Sequence, residues 1–380
     1  MRKLSFVFCG LFISALIMAQ PFGIGHKQIT FVDASRSNRS ILTEIYYPST
    51  TSGDNVPIAN GQFPVIVFGH GFVMSWDAYK CFWDTLVPEG YILVFPRTEG
   101  SISPNHNEFG KDLKFLNEQM KNENTNPSSF FYQKVASKSS IMGHSMGGGS
   151  SFLAAASYTN FTTLVNFAAA NTNPSSISAA QFVTVPLLMF AGENDGVAPP
   201  ANHQIPMYDS CSSLCKTIVT IKGGGHCYFA NYNFNCSFGE STTSPQPTIT
   251  RDEQQRRVFY LLKPYLNYML KNSSVDSVKF FNRLQNNSEY TYQRTCNITT
   301  NILTNNQLNK ISVYPNPFKN SLKIKIDNNE KVSIEVYNIL GEKVNELVTN
   351  TNEIHLNTEN WTSGIYFIKV NTFYFKVIKE

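Results

Sequence analysis

Apolar and polar positions along the first two thirds of the chain fall into two alternating patterns. Continuous apolar runs at 63–68, 91–95 and 186–190 predict strands buried on both faces, as in parallel sheets. Further runs at 41–47, 139–142, 163–168 and 217–221 predict additional strands. Between them, residues 76–86, 109–120 and 256–270 carry helical spacing; in the second of these, Leu113, Phe115, Leu116 and Met120 share one side. Doubly buried strands alternating with helices imply a mostly parallel sheet with helices on both faces, a doubly wound α/β fold.

Near Asn272 this pattern fades. Residues 286–288 and 297–307 are polar and Asn/Thr-rich without periodicity, as a linker would be. Beyond them the period changes to two. Short alternating segments at 311–318, 322–326, 332–337, 343–348, 353–356 and 365–370 are separated by turn signals such as Asp327-Asn328-Asn329. They predict a small all-β sandwich.

At the N-terminus, Arg2 and Lys3 precede an apolar stretch at 4–18 and a small residue, Ala19, which reads as a cleavable signal peptide. The expected division is therefore a signal peptide at 1–19, an α/β domain at 20–290, a linker at 291–306 and a β-sandwich domain at 307–380. The chain has 380 residues, 15% of them charged, and a formal net charge of +4 with no basic cluster, which argues against nucleic-acid binding. Of seven cysteines, Cys9 lies in the signal segment. The remaining six suit disulfides in an exported protein. Six cysteines allow 15 connectivities; the local pairs Cys227–Cys236 and Cys211–Cys215, with Cys81–Cys296 left over, are the expected set. A zinc site lacks C-x-x-C or paired-histidine spacing, so no metal and no cofactor is expected.

Candidate chemistry sits at strand ends. Gly143-His144-Ser145-Met146-Gly147 lies between the strand at 139–142 and the small, apolar helical segment at 150–156. This is the nucleophile-elbow pattern, in which flanking glycines permit a turn tight enough to lift a serine hydroxyl clear of the sheet. A serine needs a base, and the base an orienting carboxylate. Asp195 follows the strand at 186–190, with Glu193 its nearest rival, and His226 follows the strand at 217–221 through Gly223-Gly224-Gly225. The order Ser, Asp, His is that of the α/β-hydrolase triad. Met146 and Phe72, the latter in the turn Gly69-His70-Gly71-Phe72, are positioned to offer main-chain N–H groups to an oxyanion. His70 and His144 adjoin these special turns; His26, His106, His203 and His355 lie away from any strand end.

With these residues in place, residues 28–270 resemble the cutinase-like polyester hydrolases of the dienelactone-hydrolase branch. The resemblance rests on Gly143-His144-Ser145-Met146-Gly147-Gly148-Gly149, Val183-Thr184-Val185-Pro186, Glu193-Asn194-Asp195-Gly196-Val197-Ala198-Pro199 and Gly223-Gly224-Gly225-His226. It implies carboxylic-ester hydrolysis, including poly(ethylene terephthalate) in some members, with Ser145 as nucleophile, His226 as base, Asp195 as orienter, and Phe72 with Met146 as oxyanion hole. The family usually has tyrosine where Phe72 stands and a tryptophan before Val183, and residues 171–181 contain none. Residues 307–380 resemble the sorting domain of the Bacteroidetes type IX secretion system, through Val313-Tyr314-Pro315-Asn316-Pro317-Phe318, the segment at 336–344, Gly364-Ile365-Tyr366-Phe367-Ile368-Lys369-Val370 and the closing residues 376–380. That resemblance implies export and contact with the secretion machinery.

The connection at 171–185 is too short for a helical lid, so an open cleft is expected. The long segment at 227–250 carries Tyr228, Phe229, Tyr232 and Phe234 beside His226 and is expected to form an aromatic wall, with Phe72, Tyr228 and Phe229 touching substrate. Trp76 and Trp83 are expected to pack the first helix on the sheet. The sequence thus leads to a secreted, monomeric serine esterase acting on esters or polyesters. Its alternatives are an esterase of soluble esters only, a peptidase of the same fold, and an inactive binding module.

Overall fold

Side-chain parity along the central strands decides the architecture. In the strand Phe63–Gly69, Val65 and Val67 enter one apolar cluster while Ile66 and Phe68 enter another on the opposite face. The same split separates Ile92 and Val94 from Leu93 and Phe95. A strand whose residues are apolar on both faces needs helices on both. The computed structural model describes residues 21–296, 311–326, 332–338, 341–371 and 373–380. The signal segment and Cys9 lie outside the described residues.

Among the described residues the first unit holds ten strands: β1 (Gly23–Asp33), β2 (Arg39–Ser49), β3 (Gly53–Asp54), β4 (Phe63–Gly69), β5 (Ile92–Pro96), β6 (Val135–His144), β7 (Thr163–Phe167), β8 (Leu187–Gly192), β9 (Cys215–Ile221) and β10 (Tyr290–Cys296). They form one sheet in the order β10-β9-β8-β7-β6-β4-β5-β2-β1-β3. The six strands β5, β4, β6, β7, β8 and β9 run parallel, and β2 and β10 join them antiparallel. Helices α1 (Lys80–Leu86), α7 (Arg251–Lys271) and α8 (Ser274–Gln285) cover one face; α2 (His106–Thr125), α3 (Met146–Ala155), α4 (Ser176–Ala180) and α5 (Gln204–Ser210) cover the other. Helix α6 (Phe234–Ser241) follows the turn after β9. The chain leaves β4 towards β5 on one side and β6 on the other. That reversal marks the C-terminal ends of β4 and β6 as the place where an open α/β sheet binds its ligand.

Two elements extend the unit beyond the sequence pattern. Helix α8 buries only Phe280 and Leu284, too few to announce itself. Strand β10 is mostly exposed and polar, and occupies 290–296, so the expected linker does not begin at 291. Cys296 pairs directly with Cys215 in the β9–β10 ladder, and the two are bonded. A second disulfide joins Cys227 to Cys236. The expected Cys211–Cys215 and Cys81–Cys296 bonds do not form. Cys211 is instead buried at the end of α5, its thiol facing the Val183 carbonyl, and Cys81 lies in α1 near the Phe229 carbonyl. Burial pushes the Cys81 thiol up to about 12, which keeps it protonated. Trp83 stacks on Tyr46 at 4.1 Å between ring centres, and Trp76 lies under Arg97, which seats the first helix as expected.

The second unit has its own core. Strands β11 (Ile311–Tyr314), β12 (Ser321–Ile326) and β15 (Glu353–Asn357) form one antiparallel sheet; β14 (Lys343–Thr349), β13 (Val332–Asn338), β16 (Gly364–Val370) and β17 (Phe373–Lys379) form another. Leu322, Ile324, Ile326, Ile334, Val336, Ile368 and Val370 alternate inward and fill the space between them. This is the sandwich the period-two pattern implies.

Candidate active site

The nucleophile elbow forms because no side chain fits where its glycines stand. A Cβ on Gly143 would lie 2.3 Å from the Gly147 carbonyl, and one on Gly147 would lie 2.1 Å from the Gly69 carbonyl oxygen and 2.6 Å from that of His70. The start of α3 is therefore pressed against the end of β4, where Gly69 is already paired with Gly143. Between them Ser145 takes φ 54° and ψ −119°, a conformation costly for a side-chain-bearing residue and retained where surrounding structure enforces it. Its main chain is held by Ser145 N–H to Phe167 O and by Gly149 and Ala170 N–H to Ser145 O.

Ser145, His226 and Asp195 come together at the C-terminal ends of three parallel strands. His226 Nε2 lies 2.8 Å from Ser145 Oγ, and His226 Nδ1 lies 2.8 Å from Asp195 Oδ2. All three are buried, with Ser145 the most open at 8%. Asp195 accepts from the Val197 and Ala198 amides through its other oxygen, so the turn after β8 fixes the carboxylate before any substrate arrives. Glu193 is excluded from that place: its carboxylate accepts the Gly223 N–H. Because Asp195 accepts at Nδ1, the neutral imidazole carries its proton there and presents Nε2 as an acceptor to the serine hydroxyl.

The second expected oxyanion donor sits in a β-turn. Met74 N–H donates to Gly71 O at 3.1 Å, and Val73 has φ 49° at the third position. A positive φ is unusual for a β-branched residue and marks the turn as constrained. Gly71 C=O and Phe72 N–H belong to one peptide plane, so fixing the carbonyl fixes the direction of the amide hydrogen. Met146 N–H is the first of α3, among the donors a helix leaves without an internal acceptor. The contact of Gly147 with Gly69 and His70 brings the two segments side by side.

His226 is also held through its own backbone. Its N–H and that of Cys227 donate to Glu240 Oε1 at 2.6 and 3.1 Å, and its carbonyl lies 3.0 Å from His144 Nε2. Glu240 belongs to α6, which the Cys227–Cys236 bond ties to the histidine loop. Sequence reasoning did not single out Glu240; only the fold brings position 240 back to position 226. The same is true of Tyr79, whose hydroxyl meets both Gly71 N–H and His144 Nδ1.

The expected aromatic wall divides. Phe229 is not at a groove: it is 1% exposed and packs against Phe167 and His144. Helix α7 and the turn Cys227–Phe229 draw it into the core. Tyr228 is half-buried beneath the Arg251 guanidinium, which bonds the Cys227 and Ala230 carbonyls. Tyr232, Phe234, Phe238 and Phe72 are exposed, and Phe234 stacks on Phe238 one helical turn away. The 171–185 connection contains only the single-turn α4, whose Ala180 is buried and whose Ile177 and Ala179 pack against the core.

Comparison with known proteins bears on both units. Residues 21–244 match the PET hydrolase-like family, and residues 312–380 match the secretion system C-terminal sorting domain. Cutinase 1 of Thermobifida cellulosilytica is 22% identical over 208 residues, 54% of this chain and 72% of the relative. The bis(hydroxyethyl) terephthalate hydrolase of Streptomyces coelicolor is 26% identical over 183 residues, 48% of this chain and 54% of the relative. Ulvan lyase NLR42 of Nonlabens ulvanivorans is 37% identical over 73 residues, 19% of this chain but only 14% of the relative. The chain thus spans from 14% to 72% of the length of these relatives. Its sorting domain directs it by type IX secretion to the extracellular or cell-surface space. The match over residues 21–244 covers more than half of the chain, which belongs to the PET hydrolase-like family.

Proposed function

We propose that this protein is an exported serine carboxylester hydrolase that cleaves short-chain esters and polyesters of the poly(ethylene terephthalate) type. The observation that carries the reading is the unbroken line Ser145 Oγ, His226 Nε2, His226 Nδ1, Asp195 Oδ2, with 2.8 Å at each hydrogen bond. His226 takes the Ser145 proton as Oγ bonds to the ester carbon. The oxyanion is met by the Phe72 and Met146 amides, and Asp195 stabilises the imidazolium. The C–O bond then breaks, His226 gives its proton to the departing alkoxide, and an acyl-Ser145 ester remains. Water, deprotonated by His226, releases the acid and restores the serine.

Substrate is read as lying across the turn that carries Phe72. A cavity of about 260 Å³ beside this turn has a mostly polar wall that includes Arg97, Asn233 and Asn235, with Val73, Met74 and Trp76 as its apolar part. Exposed Phe72, Phe234 and Phe238 supply rings for a broad apolar substrate. The sorting domain is read as removed after export.

A fluorophosphonate probe, followed by hydrolysis of graded soluble esters and of amorphous polyester film, tests the reading. Wild type should be labelled and Ser145→Ala should not, with ester turnover falling on the order of 10⁶-fold. An unlabelled wild type overturns the serine mechanism. Activity on soluble esters with none on film overturns the polyester assignment.

A further inference from the structure

The residue before the nucleophile and a tyrosine of the first helical segment lie between the two halves of the proposed catalytic apparatus. His144 is wholly buried. Its Nε2 faces the His226 carbonyl at 3.0 Å, and a carbonyl only accepts, so Nε2 carries the proton. Burial and the neighbouring His226 hold His144 well below its ordinary range, and the ring is neutral. Its Nδ1 is therefore a bare acceptor and takes the Tyr79 hydroxyl proton at 2.9 Å. The Tyr79 oxygen in turn accepts Gly71 N–H at 2.8 Å. Every direction in this chain follows: Gly71 N–H to Tyr79, Tyr79 O–H to His144, His144 N–H to the carbonyl of His226.

We propose that Tyr79 and His144 are positioning residues that tie the turn bearing the Phe72 amide to the main chain of His226, fixing the oxyanion donor relative to the base. The inference rests on the serine-hydrolase reading and deepens it. Three features support a positioning role over simple packing. The relay is buried from end to end, so water offers no substitute partners. It joins three places far apart in sequence: the stretch holding Gly71 and Tyr79, His144, and His226. It also completes a two-sided grip on His226, whose N–H is held by Glu240 while its C=O is held by His144. Side-chain truncation at Phe72 would leave this arrangement in place, because the relay holds the turn at the Gly71 main chain, one residue before the Phe72 amide.

Tyr79→Phe tests the idea with little loss of packing, since the ring remains against Phe68 at 4.7 Å and near Phe82. Full-length enzyme is assayed on a soluble p-nitrophenyl ester, with phenylboronic acid as a mimic of the tetrahedral intermediate. The expected result is a kcat lowered about tenfold, a KM within twofold of wild type, and boronate affinity weakened in step with kcat, a fraction of the 10²–10³ lost when an oxyanion donor is removed outright. His144→Gln and the double variant close a cycle: if the relay acts as a unit, the double variant is no slower than the slower single variant. A Tyr79→Phe enzyme with wild-type kcat and boronate affinity overturns the proposal. So do strictly multiplicative losses in the double variant, and so does a raised KM with unchanged kcat. Fluorophosphonate labelling of Ser145 in wild type separates these failures from failure of the serine mechanism itself.

Discussion

Glu240 accepts the main-chain N–H of His226 at 2.6 Å through the same carboxylate oxygen that takes the Cys227 amide. A buried side chain from one helix thus replaces the solvent that would otherwise satisfy two amides of the histidine loop. Glu240→Ala leaves both donors without a partner, and each such loss costs roughly 1–3 kcal/mol. Urea unfolding should show a destabilisation of about 2–6 kcal/mol, kcat should fall, and Glu240→Asp, one methylene shorter, should restore neither amide contact. Unchanged unfolding midpoints would remove Glu240 from this role.

Asp195 and Glu193 provide a paired comparison, since both are acidic and both close the turn after β8. Asp195→Asn should lower kcat on the order of 10⁴-fold by stabilising the wrong imidazole tautomer. Glu193→Gln keeps an acceptor for Gly223 N–H and should leave kcat within a fewfold of wild type. Soluble-ester kinetics of the two variants decide the assignment; equal losses would contradict it.

The fully buried Asp112 carboxylate binds the Arg39 guanidinium twice, Arg36 Nη2 at 2.7 Å and Thr98 Oγ1 at 2.6 Å. Removing one partner of a buried ionic cluster leaves the others uncompensated. Asp112→Ala should therefore cost about 3–5 kcal/mol. Denaturant titration measures this directly, and a loss under about 1 kcal/mol would equate the cluster with an ordinary surface pair.

Burial holds His70 and His144 below the ordinary histidine value of 6.5. The folded protein keeps both neutral while the unfolded chain takes up protons below about pH 6.5. The unfolded state then binds more protons, so stability rises with pH and is lost as pH falls through that value. Each histidine contributes a slope approaching about 1.4 kcal/mol per pH unit. Unfolding free energies between pH 8 and pH 5 should be flat above pH 7 and should decline below 6.5. A flat profile down to pH 5 would contradict neutral burial.

Phe234 and Phe238 are 68% and 63% exposed and stack with ring centres 6.1 Å apart on α6. Asn235 between them donates to the Val73 carbonyl, which places this helix against the Phe72 turn. Phe234→Ser with Phe238→Ser should slow release of products from amorphous polyester film severalfold and leave kcat/KM on soluble esters unchanged. Equal effects on both substrates would assign the pair to folding rather than to polymer contact.

Much of this site was legible because its signals are local. Gly143 and Gly147 announce the elbow, and apolar strands followed by Asp195 and His226 announce where the proposed orienter and base emerge. Alternation of Leu322, Ile324 and Ile326 gave the sandwich in the same way. What escaped were relationships made where irregular segments fold back on themselves. Tyr79 and Glu240 look like ordinary helix residues until the turn after β4 and the Cys227–Cys236 bond bring them to Gly71 and His226. Phe229 was misplaced because an aromatic residue in a loop has the same composition whether it faces a groove or the core. Of the expected cysteine pairs Cys227–Cys236 forms, and the other two fail for a related reason: β10 is polar and exposed, so nothing marked Cys296 as the neighbour of Cys215.

The Cys215–Cys296 bond lies at the last described position of the first unit, where β10 is the edge strand of the sheet. Terminal strands are where a folded chain begins to peel away, and this one is riveted to the strand inside it. A protease cutting after Cys296 would release everything downstream without loosening β9, the strand that leads to His226. Trimming on that side would therefore leave sealed the strand that leads to His226, the proposed base.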